Sequence, residues 1–271
     1  MSKPNILLTN DDGIRSPGLW AAAEALSRIG FVTVAAPREQ SSGVGRSLPS
    51  TSDGIISEEI MVVHGQSWKV YAIGGTPAQA VQHGVLEILE KKPDLVVSGI
   101  NYGENVSTGI TVSGTVGAAM EAASMGIPAL AMSVETDKIL HLSYSTEVNF
   151  STAAYFTEYF ARLLLEKQAP AGVDLFKVDV PADATPQTAW EWTRLSVQRY
   201  YQPVRPLRTQ WNVPETVGYE VGANLRLEPE NSDVFTILRK RLVSVTPLTL
   251  DMTAQVSNDL LEEFAMSTSR S

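Results

Sequence analysis

The stretch Asn5-Ile6-Leu7-Leu8-Thr9-Asn10-Asp11-Asp12-Gly13 decides how this chain folds. Its opening run, Asn5-Ile6-Leu7-Leu8, is short, apolar and bounded by turn formers, which predicts a buried strand. In an open parallel sheet, ligands bind in the crevice outside the carboxyl ends of the strands, and Thr9-Asn10-Asp11-Asp12-Gly13 falls at such an end. Two adjacent carboxylates there repel each other, raise one pKa and cost stability unless a cation sits between them. The stretch therefore predicts a divalent metal on Asp11 and Asp12 at the mouth of the first strand.

Working outward, strand and helix signals alternate. Ser16-Pro17-Gly18 offers an N-cap followed by proline at N1, predicting a helix over 19–29 that stops at Gly30. Further strands are expected at 31–36, 60–63, 70–73, 95–98, 129–134, 175–180 and 242–246, with 60–63 and 70–73 as a hairpin. Thr76-Pro77 opens a helix to about residue 90, and Ser113-Gly114-Thr115 opens an Ala-rich one over 113–125. An aromatic-rich helix is expected over 150–166 and an amphipathic one over 258–266. Such alternation implies right-handed β-α-β crossovers. The predicted fold is α/β: a three-layer, Rossmann-like, mostly parallel sheet with helices on both faces. From 182 to 230 the chain turns Pro-, Trp- and Tyr-rich, with Trp190, Trp192, Tyr200, Tyr201 and Trp211. This predicts an extended arm packed on another subunit. The expected units are an α/β core, 1–181, and a C-terminal oligomerisation unit, 182–271, made of the arm, a late strand and the terminal helix and partly packed on the core.

The 271 residues, 44% apolar and 19% charged, suffice for a full core. A formal charge of −9 argues against a general nucleic-acid surface, which needs clustered Lys and Arg. It leaves room for a small phosphorylated ligand, since backbone donors and a metal overcome a negative global field. The absence of cysteine excludes disulfides, thiolate nucleophiles, zinc–cysteine sites and iron–sulfur clusters, and fits a reducing compartment. Met1-Ser2-Lys3-Pro4 runs straight into the first strand, so no signal peptide is expected, and no apolar stretch approaches the roughly 18 residues of a bilayer span. A cytoplasmic protein without a membrane partner is the expectation.

Several polar segments follow the apolar strands in complementary fashion. The first supplies Asn10, Asp11 and Asp12, and the second, Glu39 to Ser47, supplies hydroxyls and flexible backbone around Ser42 and Gly43. The third, Ser98 to Asn105, supplies the amide of Asn101. Hard oxygen donors without clustered His or Cys suit magnesium or manganese. Ser113-Gly114-Thr115 presents free N–H groups and the positive end of a helix dipole, a ready anion site. A metal facing a phosphate cradle suits metal-assisted phosphoryl hydrolysis. Taken singly the pieces read more plainly: Ser113 as an ordinary N-cap, Asn101 equally as a loop brace, Glu104 as a solvated charge. The aromatic residues of the second half read as packing, and His64, His83 and His141 show no ligand spacing. An aspartyl-phosphate route is disfavoured, because the residue two before Asp12 is Asn10, which cannot form the intermediate. A non-catalytic nucleotide-binding module stays open, since fold does not dictate function.

With these residues in view, the chain resembles the SurE survival protein family of metal-dependent 5′/3′-nucleotidases. The matching segments are residues 6–14 with Pro17-Gly18, Ser42-Gly43, Gly75-Thr76-Pro77, residues 96–103, residues 113–121, Pro128-Ala129-Leu130-Ala131 and residues 243–248. The resemblance implies hydrolysis of nucleoside monophosphates, with one divalent ion (Mg²⁺ or Mn²⁺) per subunit on Asp11, Asp12, Ser42 and Asn101. It places phosphate contacts on Gly43, Ser113, Gly114 and Thr115 with Asn10 nearby, and catalysis on Asp11 and Asp12. It also implies a homodimer or homotetramer built through a swapped C-terminal arm. The chain departs from the pattern in carrying Arg38-Glu39-Gln40-Ser41 where Asp-Arg is usual, and Ala78-Gln79-Ala80 where Ala-Asp-Cys is common.

Overall fold

A computed structural model describes residues 3–141, 144–222 and 224–267. Met1 and Ser2 of the N-terminal stretch, and 268–271 of the predicted C-terminal unit, lie outside the described residues. The chain runs β1 (Asn5–Thr9), α1 (Pro17–Ser27) and β2 (Phe31–Pro37), then a hairpin of β3 (Ile56–Val63) and β4 (Gln66–Ile73). Next come α2 (Pro77–His83), which widens into a π turn over Gly84–Ile88, β5 (Leu95–Tyr102), α3 (Gly114–Ser124) and β6 (Ala129–Val134). After α4 (Ser151–Glu166) and β7 (Leu175–Val180) follow β8 (Trp190–Trp192), β9 (Tyr201–Val204) and β10 (Gly218–Val221). The chain closes with a short α5 (Asp233–Phe235), β11 (Val243–Leu248) and α6 (Asn258–Ser267).

Nine strands form one sheet in the order β3-β4-β2-β1-β5-β6-β7-β11-β8. Pairing is parallel except within the β3–β4 hairpin and between β7 and β11. The alternation of side chains along the strands explains the layers. Ile6, Leu8, Val97, Leu130 and Met132 face one way and pack with Leu19 and Trp20 of α1 and Phe156 and Phe160 of α4. Leu7, Ala35, Val96, Ala129 and Ala131 face the other and pack with Val81 of α2 and Val116, Ala118 and Ala119 of α3. A strand apolar on both faces must be covered on both, which is the signature of a parallel α/β sheet. No described helix is long and apolar enough to cross a membrane.

Three differences from the sequence expectation bear on the site. Strand β5 extends past Ser98 to Tyr102, because the register shifts between Ser98 and Asn101 and pairing with β6 then resumes at Ser133 and Val134. The late strand β11 lies between β7 and β8 in the central sheet. A further part of the 182–230 segment folds as the two-stranded β9–β10 ribbon, and Tyr200 packs with Val106, Val234 and Ile237 in a small cluster of its own. The terminal α6 leaves Leu260, Leu261 and Phe264 exposed.

Candidate active site

Strand order reverses at β1: the chain proceeds from it to β2 on one side and later returns to β5 on the other. Crevices form at such switch points, because the two crossovers leave in opposite directions. The turn after β1 is closed by Asn10, whose Oδ1 accepts from Gly13 N and whose Nδ2 donates to Gly13 O, each at 3.1 Å. Gly13 has φ +95°, a conformation most side chains avoid. The result aims the intervening Asp11 and Asp12 into the protein: they are 4% and 1% exposed.

Asp11 Oδ1 accepts from the Thr115 hydroxyl at 2.5 Å, and its main-chain carbonyl accepts from Ser41 N at 2.7 Å. Asp12 accepts from Gln40 Nε2 on Oδ1 and from Tyr102 N on Oδ2, both at 3.2 Å. Burial pushes the Asp11 carboxyl up, opposed by the Thr115 hydroxyl and by N–H groups at the start of α3. Burial, joined by the charge of Asp11, pushes Asp12 well up. Among the described residues no Lys or Arg forms an ion pair with either. The two acids thus form a desolvated pair without a Lys or Arg partner among the described residues.

One cleft of about 270 Å³ gathers Asp11, Ser42, Gly43, Asn101 and Ser113. Asn101 donates through Nδ2 to the carbonyls of Tyr102 (3.1 Å) and Gly103 (2.7 Å), which leaves Oδ1 as its free acceptor. Among the described residues no group of three or more His, Asp or Glu assembles. A cation in this cleft would meet the Asp11 carboxylate, with Asp12 next to it in the chain, and neutral oxygens from the Asn101 amide and the Ser42 hydroxyl. This hard, anionic set fits magnesium or manganese. Ser113 caps α3 by accepting from Val116 N at 3.1 Å and keeps its hydroxyl proton for a ligand. Thr115 is turned onto Asp11, and Asn10 onto Gly13, so neither lines the cleft.

Small residues at the start of α3 let it approach this closely. A methyl group on Gly117 would lie 2.5 Å from the Gly45 carbonyl, and one on Gly114 would lie 2.7 Å from Asp11 Cβ and 2.9 Å from its Oδ2. Gly114→Ala is accordingly expected to push Asp11 aside and weaken divalent-cation binding by about 10–100-fold, the usual cost of disturbing the support of a metal ligand. The cation-dependent rise in melting temperature measures it; an unchanged titration midpoint would show that Asp11 does not need this support.

Sequence reasoning missed other residues of this cleft. Glu104, Asn105, His141, Tyr201 and Tyr219 also line the cleft. Glu104 is not solvated but 3% exposed. Its Oε1 accepts from the Tyr200 hydroxyl and its carbonyl from the Tyr201 hydroxyl, each at 2.6 Å. Burial pushes its carboxyl up to about 7. His141 links the β9–β10 ribbon to the core, with Nε2 3.0 Å from Thr136 O and Nδ1 3.0 Å from the Tyr219 hydroxyl. Glycines on both sides of Asn101-Tyr102 hinted at a shaped loop; nothing local signalled that tyrosines about a hundred positions later would bury Glu104.

Residues 6–202 match the family described as Survival protein SurE. The chain is 41% identical over 257 residues to the 5′-nucleotidase SurE of Methanocella arvoryzae, covering 92% of this chain and 93% of that protein. It is 41% identical over 264 residues to the 5′-nucleotidase SurE of Archaeoglobus fulgidus, covering 95% of each. The crystal structure of the SurE protein from Aquifex aeolicus superposes with a TM-score of 0.73 at 32% identity, over 98% of this chain and 100% of that one.

Proposed function

The chain belongs to the SurE survival protein family, and we propose that it is a divalent-metal-dependent phosphomonoesterase that hydrolyses nucleoside monophosphates, 5′ and 3′, to nucleoside and phosphate. The observation that carries this reading is the buried Asp11–Asp12 pair, unpaired by any described Lys or Arg, of which Asp11 lines one cleft with Ser42, Asn101 and Ser113. The relatives named 5′-nucleotidase support the substrate class.

In this reading Asp11, Asp12, Ser42 and Asn101 hold a magnesium or manganese ion. When bound, such an ion neutralises phosphate oxygens and lowers the pKa of an attacking water. The protein's own groups do the rest. In this reading Asp11 also accepts the proton of that water. The Ser113 hydroxyl and the open backbone of Gly43 donate to the charge that develops on the phosphoryl oxygens. The Thr115 hydroxyl keeps Asp11 in one orientation throughout.

Phosphate release from AMP and 3′-AMP, measured with magnesium, with manganese and with chelator, tests the proposal. Release that requires a divalent ion and stops with chelator is the expected result. Binding of nucleotides without any release, across both metals, would replace the enzyme with a binding module.

A further inference from the structure

Gln40 holds the acidic pair without lining the cleft itself. Its Nε2 donates to Asp12 Oδ1 at 3.2 Å and to the His141 carbonyl at 3.1 Å. A side-chain amide carries two hydrogens on that nitrogen, so both bonds form together. The His141 carbonyl only accepts, which fixes the amide with its nitrogen, not its oxygen, towards Asp12. The next residue bonds the pair as well: Ser41 N donates to the Asp11 carbonyl at 2.7 Å. This loop and the turn after β1 lie close together, since a methyl group on Gly13 would meet Gln40 N at 3.3 Å. Ser42 and Gly43, which follow directly, line the cleft. One short segment, 40–43, thus grips both aspartates and delivers a hydroxyl to the cleft.

The donors chosen for Asp12 are informative. Gln40 serves Oδ1 and Tyr102 N serves Oδ2, and both are neutral. Each carboxylate oxygen has two acceptor sites, so each keeps one for a cation. A Lys or Arg in place of Gln40 would hold Asp12 as firmly, but its charge would repel that cation. An apolar side chain there would leave Oδ1 without its donor. Resting on the cation reading above, we propose that Gln40 is a positioning residue: it fixes Asp12, and the placement of Asp12 relative to Ser42, for the divalent ion. Gln40 acts through Asp12 and contributes no ligand of its own. Its neutral amide supplies the orientation of a counter-ion without the charge.

The experiment titrates Mn²⁺ into the nucleotide-free parent, Gln40→Met and Gln40→Lys. Bound ion is read by electron paramagnetic resonance, and the fold by melting in chelator. Met keeps the length of the side chain and removes the donor. Its Mn²⁺ dissociation constant is expected to rise about 10–100-fold, the usual cost of removing the outer support of a metal ligand. Lys keeps a donor and adds charge. It is expected to weaken Mn²⁺ at least as far as Met does, yet to melt in chelator no lower than the parent, because the acids gain a counter-charge. Phosphate release from AMP adds a third readout: Gln40→Met needs more Mn²⁺ for its half-maximal rate, while KM for AMP at saturating Mn²⁺ stays parental. An unchanged Mn²⁺ constant in Gln40→Met overturns the proposal, whether or not that variant melts lower. So does Gln40→Lys binding Mn²⁺ as tightly as the parent. Should Gln40→Met bind Mn²⁺ more weakly and also melt lower in chelator, Gln40→Lys decides. A parent that takes up no Mn²⁺ overturns the cation reading and the role of Gln40 together. If the parent binds Mn²⁺ but releases no phosphate, the nucleotidase reading alone falls, and the Mn²⁺ constants of the two variants decide the role of Gln40.

Discussion

Asp11→Asn is expected to lower phosphate release from AMP by about 10²–10⁴-fold, the range for a group that moves a proton in the transition state. The metal-free fold should meanwhile be no less stable than the parent. The amide is isosteric and still offers an oxygen to the Thr115 hydroxyl. It removes a charge that burial disfavours and that raises its neighbour. The sign of the pH effect follows. Both carboxyls are held above 3.8 in the fold, so the stability associated with them is fully present below that value and is lost as pH rises through the folded values. The Asn variant should flatten that loss in chelated protein. It should also lose most of the cation-dependent stabilisation, about 2.7 kcal/mol for the parent when the ion stands at 100 times its Kd. Steady-state assays and melting curves with and without magnesium check both halves. Near-parental turnover would sink the role given to Asp11.

Lys177→Met is expected to be the most destabilising single change, costing about 3–5 kcal/mol because it strands buried charge. Lys177 stands in the middle of β7 at 1% exposure, and its ammonium pairs with Asp179 and, at 3.1 Å, with Asp233 Oδ2. Burial alone would lower its pKa, but the two carboxylates outweigh that and hold it charged. The acids are fully engaged too. Asp179 accepts from Asn105 N and the Ser133 hydroxyl, and Asp233 from Ser107 N at 2.9 Å and Ser196 N at 2.8 Å. One lysine therefore ties β7, the cleft wall and the segment around α5 into a single buried network. Met fills the space but leaves two desolvated carboxylates repelling each other. Denaturant unfolding measures the loss, and adding Asp179→Asn and Asp233→Asn together should recover most of it. A cost below about 1 kcal/mol, the level of an exposed pair, would show that the network is solvated.

Both experiments concern groups whose types were visible in the sequence and whose settings were not. The acidic pair was legible because strand ends, turn formers and charge sit within nine consecutive residues. Ser42 and Asn101 were legible as polar positions following apolar strands, and they line the cleft with Asp11. Ser113 shows the limit of that reasoning: it is an N-cap and a cleft residue at once, two roles the sequence offered as alternatives. Glu104 was misread because a glutamate between glycine and asparagine looks solvated. Tyr200 and Tyr201 enclose it from 96 and 97 positions away. Lys177 was read only as part of a buried strand, and its partner Asp233 lies 56 positions further on.

The sequence by itself determined the alternation of strands and helices, the capping hydroxyls of Thr76 and Ser113, the two-faced apolar strands and the placement of two carboxylates at a strand mouth. These follow from backbone geometry and side-chain period, which act over a few residues. Tertiary structure alone decided which charges lose their water, which polar atoms go unpaired, and which aromatic rings close the cleft. Desolvation is set by whatever segment packs above a group, and for Glu104 that segment carries Tyr200 and Tyr201, nearly a hundred residues further on.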